Sequence, residues 1–303
     1  MDKLNVTRIT QYLWEDPHIR KKIETDYSLE PSISAEDFSK SIILALKQPV
    51  RSIFRDVSNK DVFEAATRAL GSNSRQWGTF SAREHELREL LEDYDPLKVY
   101  DKWNPEFENE VKTFFPGQTR KNDVTAVFQW SQKLTLLEDF YQNYIIRLAS
   151  AFLNKTKDDA INLSDEQLLL LICGFCANPP KDSTLLGMFY NPKHYKFMGM
   201  GYILSSEFLR NLGWNGFKPD RHIKRLFGFW YNPKSEDEYS DIGLFQQLLH
   251  SQRKELNEFI QYSLIGHNIT PSSMTYSEMD NLLWAFGSYI AKKGKEADFP
   301  ILD

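Results

Sequence analysis

Three features of this 303-residue sequence predict an all-α fold. Serine recurs three residues ahead of an acid or amide at the head of apolar-periodic segments, the pattern of a helix start. Apolar residues then return at intervals of three and four, which puts them on one helix face. No stretch sustains the apolar–polar alternation of a half-buried strand.

In chain order, Ser34-x-x-Asp37 precedes Phe38, Ile42, Ala45 and Leu46 at helical spacing. Ser58-x-x-Asp61 opens a segment that runs to Gly71, a glycine placed to end a helix. Ser81-x-x-Glu84 opens the next, and Asn104-Pro105 is a cap followed by proline at the first helical position. Residues 90–122 are acidic and then Pro/Gly-containing, and read as a linker. From Asp123 onward, Val127, Ser131, Leu134, Leu137, Tyr141, Ile145, Leu148 and Phe152 line one face of a long helix or of two helices end to end. Ser164-x-x-Gln167, with Leu163 and Leu168 placed as a hydrophobic staple, opens a helix that is apolar all round through LLLLICGFC. Leu244 to Leu264 and Met279 to Ile290 are further amphipathic helices. The expected division is an N-terminal helical region, 1–120, and a helical core, 121–303.

Composition narrows the class. Hydrophobic residues make up 41% and charged residues 26% of the chain, a balance that excludes a disordered or fibrous protein. Twenty-one Phe, fourteen Tyr and seven Trp require a large core. A net charge of −5 argues against non-specific coating of nucleic acid, while leaving room for a local basic patch. The opening MDKLNVTRIT lacks the apolar core of a signal peptide, and no run approaches the ~18 apolar residues of a membrane span. The expectation is a cytoplasmic monomer without a membrane partner. Cys173 and Cys176 stand as CGFC with no second ligand pair, so they read as core cysteines ahead of a redox or metal pair. No metal or cofactor is expected.

The stretch from Phe197 to Trp230 carries the chemistry. Gly199-Met200-Gly201 is a glycine turn with Phe197 before it and Leu204, Phe208, Leu209 and Leu212 after it, spaced as two helices packed around a hairpin (about 194–213). The second helix is short and amphipathic. The uncapped amides at its start make a site that favours a phosphate, although many glycine turns are only turns. Gly213 ends that helix, and the loop 213–220 leads through Trp214, Phe217, Lys218 and Pro219 to Asp220. Taken alone, Asp220 is a helix N-cap. Lys218, Arg221, His222, Lys224 and Arg225 form a local basic cluster, either a solvated face or a phosphate contact.

In combination these residues resemble the helix-hairpin-helix, Gly/Pro, Asp (HhH-GPD) superfamily of DNA glycosylases. The pattern is nearest to the 8-oxoguanine type, in which Phe-Leu-Arg-Asn-(Val/Leu)-Gly is followed by Asp-Arg-His-Ile. Here Phe208-Leu209-Arg210-Asn211-Leu212-Gly213 and Asp220-Arg221-His222-Ile223 stand in those places. Asp280 to Gly287 resembles a late helix of the same group. The resemblance implies a two-lobed helical fold acting on double-stranded DNA that carries a damaged or modified base. It implies backbone contacts from Gly199, Met200, Gly201, Ile203, Arg221 and His222, Asp220 as the catalytic carboxylate, and Trp214 and Phe217 as candidates for the base pocket. Bifunctional members carry a nucleophilic lysine two residues after the second glycine, where this chain has Ile203. Lys196 and Lys218 are nearby but stand at other positions. The implied enzyme is therefore monofunctional, without strand-cleaving lyase chemistry. A non-catalytic helix-hairpin-helix DNA-binding protein is the alternative, and a helical interaction protein is the third reading.

Overall fold

The structure, a computed structural model, describes residues 5–45, 57–75, 77–160, 162–164, 167–168, 171–177, 179, 181, 192–214, 216, 218–231 and 276–301. Among these residues the regular structure is helical and no strand occurs, in line with the all-α expectation. No described helix is long and apolar enough to cross a membrane. The expected helix from Leu244 to Leu264 lies outside the described residues, as does Phe217.

The chain forms two compact units. One comprises Met1–Lys47 and Asn215–Asp303, the other Gln48–Trp214. The first unit opens with α1 (Val6–Glu15), α2 (Pro17–Asp26) and α3 (Ala35–Ile43). The second holds α4 (Asn59–Gly71), α5 (Trp77–Ser81), α6 (Glu84–Leu90), α7 (Pro96–Lys102), α8 (Pro105–Lys112), α9 (Arg120–Leu137), α10 (Arg147–Leu153), α11 (Lys157–Ala160), α12 (Pro192–Tyr195) and α13 (Tyr202–Asn211). The first unit then resumes with α14 (Arg221–Tyr231) and α15 (Tyr276–Ala285). Single π-helical turns cover Tyr141–Ile146, Ile172–Ala177 and Phe286–Ile290.

Compactness thus divides the chain at two points far from residue 120, which lies inside the second unit at the start of α9. The stretch 90–122 is packed instead of linking. It holds α7 and α8, and Val99, Val111 and Phe115 are fully buried, because apolar residues at helical spacing survive between its Pro and Gly breaks.

Local sequence sets most helix starts. Ser34 accepts from the Asp37 amide at 3.1 Å. Ser58 and Asp61 form a complete capping box at the head of α4. Asn104 accepts from the amides of Glu106 and Phe107, both at 2.9 Å, ahead of Pro105. Ser164 and Gln167 exchange the expected pair of bonds at 3.0 and 3.3 Å. One expectation fails. Ser81 is the last residue of α5, so α6 starts at Glu84 behind Arg83 with no side-chain cap. Helix α4 ends at Gly71 as expected, although not through a left-handed backbone. The lack of a side chain at Gly71 admits the Phe80 ring, which a Cβ would strike.

In the second unit α4 and α13 pack together, and α9 packs against α4 and α7. Val62, Phe63, Ala66, Ala69 and Leu70 of α4 meet a core that includes Val127, Trp130 and Leu134 of α9 and Phe208 of α13. Each such apolar side chain contributes about 1.5–3 kcal/mol by leaving water. The periodic run from Asp123 resolves into two helices end to end, since Glu138 takes a left-handed φ of 61° and stops α9. In the first unit the two ends of the chain pack together. The Asn5 amide donates to the Ile301 carbonyl at 2.6 Å, and the Tyr289 hydroxyl donates to Asp26 at 2.8 Å.

A buried ion pair links the end of α4 to the start of α9. The side chains of Arg75 and Asp123 are 4% and 1% exposed and pair directly. Asn73 Nδ2 donates to Asp123 at 2.8 Å, and Arg75 also donates to Thr119 Oγ1 at 3.0 Å and to the Pro116 carbonyl at 3.2 Å. Removing one partner strands the other charge. Asp123→Leu is expected to lower the unfolding free energy by about 3–5 kcal/mol in a urea titration, and adding Arg75→Met should recover most of that loss.

Candidate functional site

The glycine turn is held from behind by side-chain donors. Trp130 Nε1 donates to the Met198 carbonyl at 3.1 Å, and the Tyr144 hydroxyl donates to the Tyr195 carbonyl at 2.8 Å. Lys133 Nζ donates to the carbonyls of Lys193, at 3.1 Å, and Lys196. The buried Tyr195 carbonyl needs such a partner, whereas the two carbonyls held by Lys133 lie at the surface. Phe197 anchors the turn in an aromatic cluster, with its ring centroid 4.1 Å from Trp130, 5.8 Å from Phe140 and 5.3 Å from Tyr144. The Lys133 ammonium also lies 4.6 Å from the centre of the Phe197 ring. Burial holds the Lys133 pKa below the usual lysine value. Sequence reasoning did not single out Lys133. Its signal was weak, a lone lysine on an otherwise apolar helix face.

The two glycines do different things. Gly199 has a φ of +81°, and a Cβ there would meet Leu70 Cδ2 at 2.5 Å and Ala126 Cβ at 3.1 Å. Backbone conformation and packing both require it. Gly201 has an extended φ of −71°, is exposed, and would place a Cβ in open space. Nothing among the described residues requires glycine at 201. It is the N-cap of α13 and offers no side-chain acceptor to the helix amides. The amides of Ile203 and Leu204 have no acceptor among the described residues and face the partial positive end of the helix. Met200 differs from expectation. Its side chain is 2% exposed and its amide donates to the Phe197 carbonyl, so the turn itself uses both.

Helix α13 is not amphipathic: every residue from Leu204 to Asn211 is buried. Ser206, Glu207, Arg210 and the Asn211 amide nitrogen find partners inside the protein, whereas Ser205 Oγ and Asn211 Oδ1 are buried with none among the described residues. Ser206 donates to the Tyr202 carbonyl at 3.0 Å, Arg210 pairs with Glu207 at 3.0 Å, and Asn211 donates to the Ala65 carbonyl at 3.1 Å. Gly213, at φ 103°, closes the helix in a Schellman motif, with the Trp214 amide donating to the Leu209 carbonyl at 2.9 Å and the Gly213 amide to the Arg210 carbonyl at 2.9 Å. Trp214 is 5% exposed and sits in the protein interior. The hairpin glycines and Trp214 belong to the second unit, while Asp220, Arg221 and His222 belong to the first.

Asp220 is the N-cap of α14. Its Oδ1 accepts from the His222 amide at 2.8 Å and from the Ile223 amide at 3.0 Å. Both bonds use one oxygen. Oδ2 accepts nothing from the described residues, and the side chain is half-buried. The cap and a chemical role therefore draw on different atoms of one carboxylate.

The basic cluster is partly committed. Arg225 pairs with Glu296 and donates to the Gly287 carbonyl at 2.8 Å, whereas Arg221 is exposed. Arg221 Nε donates to His222 Nε2 at 3.2 Å, which puts the ring proton on Nδ1. Nδ1 is buried without a partner in hydrogen-bond geometry, although the Gly287 carbonyl attracts it from outside that geometry. Burial lowers the His222 pKa below its usual value. The Asp220 charge opposes that shift and Arg221 adds to it.

Among the cysteines, Cys176 is fully buried, accepts from the Tyr144 hydroxyl at 3.4 Å and is a free thiol. Burial pushes its pKa up to about 12, so it lacks the thiolate that redox chemistry needs. The described residues contain no group of His, Cys, Asp and Glu able to hold a metal ion. In comparisons with protein-family models, curated proteins and solved structures, nothing matches this chain.

Two outcomes follow. Gly199→Ala is expected to lower the melting temperature, since the left-handed backbone alone costs about 1–2 kcal/mol before the clash with Leu70. Gly201→Ala should stay within about 0.5 kcal/mol of wild type, and only a binding assay should detect it. The second outcome concerns pH. The folded state of His222 binds its proton less readily than the unfolded chain, so its contribution is intact above about pH 6.5. Stability should fall as pH drops from there through the lowered folded value. His222→Gln should flatten that part of a melting-temperature profile.

Proposed function

We propose that this chain is a monofunctional DNA glycosylase that hydrolyses the N-glycosidic bond of a damaged or modified base flipped out of duplex DNA. The observation that carries the reading is Asp220, whose Oδ2 is uncommitted while Oδ1 holds the head of α14. Asn or Ser would supply the same two cap bonds, so Oδ2 is not needed for them and stays available as an acceptor. Gly201 adds support as an exposed glycine that the fold does not require.

On this reading the uncapped start of α13 takes a backbone phosphate, with the exposed Arg221 as a further contact. Extruding the target nucleotide costs a few kcal/mol and exposes C1′. The glycosidic bond breaks with its electron pair leaving on the base, and ionised Asp220 stabilises the positive charge that develops on the sugar. Water then adds to C1′ and passes its proton to the carboxylate, from which, directly or through solvent, a proton reaches the departing base anion. The products are a free base and an intact strand with an abasic site. Ile203 offers no amine, so no covalent imine forms and the strand is not cut.

A non-catalytic helix-hairpin-helix DNA-binding protein is the second reading. The two cap bonds of Asp220 favour it, because they give that residue a role without chemistry. Asp220→Asn separates the two, since the amide oxygen can still cap α14. Wild type should convert a duplex bearing an oxidised, alkylated, deaminated or bulky modified base into an alkali-labile product. Asp220→Asn should bind the same duplex but excise about 10²–10⁴-fold more slowly. Equal rates, or no substrate anywhere in the panel, would sink the glycosylase reading. Strand cleavage without alkali, trapped by borohydride, would overturn the monofunctional part.

A further inference from the structure

The loop that delivers Asp220 is gripped through its backbone by two buried side chains of α15. Ser277 is 2% exposed, and its hydroxyl accepts from the Gly216 amide at 3.1 Å while donating to the Gly216 carbonyl at 3.0 Å. Asp280, one helical turn further on and 3% exposed, accepts from the Lys218 amide at 3.0 Å through Oδ1. The Lys218 carbonyl in turn accepts from the Asp220 amide at 2.7 Å, and Asp220 Oδ1 caps α14. Pro219 between them fixes its own φ. Hydrogen bonds from α15 thus fix the backbone at Gly216 and Lys218, and the Lys218 carbonyl holds the Asp220 amide, all within the first unit.

Burying a serine and an aspartate on a helix otherwise packed through Met279, Leu282 and Leu283 costs desolvation that an apolar pair would avoid. Both side chains address the loop through backbone atoms, so they fix its path whatever its side chains are. We infer that Ser277 and Asp280 are positioning residues for Asp220, setting where its carboxylate stands without touching the reacting atoms. This inference rests on the glycosylase reading and adds the residues that make the carboxylate effective.

The test uses the full chain. Excision is followed under single-turnover conditions on a duplex carrying a base that wild type removes. Binding is measured separately on a duplex with a tetrahydrofuran abasic analogue. Ser277→Ala and Asp280→Leu should each slow excision by about tenfold or more, since small misplacements of a reacting group have effects of that size. Affinity for the abasic duplex should stay within about twofold. Asp280→Asn keeps an oxygen acceptor for the Lys218 amide and should restore the rate to within about threefold of wild type. A merely structural role would not give that pattern of lost rate, retained binding and amide rescue. Should Asp280→Leu fail to fold, Ser277→Ala and the Asp280→Asn comparison still decide the matter. Variants that excise as fast as wild type, or that slow only as binding weakens, overturn the positioning role alone. A wild-type chain inactive on every base overturns the glycosylase reading and the positioning role with it.

Discussion

The arrangement around the glycine turn depends on side-chain donors that hold its carbonyls. Between Lys193 and Met198 the chain leaves α12 and turns over Phe197 in an aromatic cluster. This buries the Tyr195 carbonyl and part-buries that of Met198, while those of Lys193 and Lys196 lie at the surface. Trp130, Lys133 and Tyr144 supply the donors. Once the carbonyls point back into α9 and the turn before α10, Gly199 must take a left-handed φ and press against Leu70 and Ala126. The next step of the chain then presents Gly201 outward, with the start of α13 beyond it. The outward face of the turn is thus a consequence of how its inward face is satisfied.

Asp220 follows a similar logic. A helix start needs an acceptor for its first amides, and a carboxylate supplies one with a single oxygen while leaving the other available. Capping also fixes the rotamer, because Oδ1 must meet two amides at once. A carboxylate held in this way is pre-oriented at no further entropic cost, which is what electrostatic stabilisation of a developing positive charge requires. The structural and the proposed chemical roles reinforce each other on one residue.

The sequence made helix starts and apolar stripes legible because both are local. Ser58 with Asp61, Asn104 with Pro105 and Ser164 with Gln167 each satisfy amides a few residues away. The errors came where distant residues decided the outcome. Gly71 does end α4, but what requires glycine there is the ring of Phe80 and not a left-handed turn. Residues 90–122 looked like a linker because Pro and Gly outweighed the spacing of Val99, Val111 and Phe115. Helix α13 looked amphipathic because its serines, Glu207, Arg210 and Asn211 are polar, but all of them are buried, and the partners of Ser206, Glu207, Arg210 and Asn211 lie inside the protein. At the candidate site the residue types were readable, whereas Lys133, Ser277 and Asp280 act through backbone atoms some 60 residues away in sequence and leave no local trace.

The hairpin and the Asp220 loop are each stabilised within their own unit. The hairpin is fixed by α9 and its neighbours within the second unit, and the Asp220 loop by α15 within the first. Each hold uses backbone acceptors or donors far away in sequence, and neither draws on the residues of the other. Interactions that share no partner contribute nearly additively. A change at Lys133 or Gly201 therefore acts on the glycine turn, and a change at Ser277 or Asp280 on the loop that carries Asp220. Under the proposed reading, affinity for DNA and excision rate are separable properties of this chain, because different parts of the fold set them.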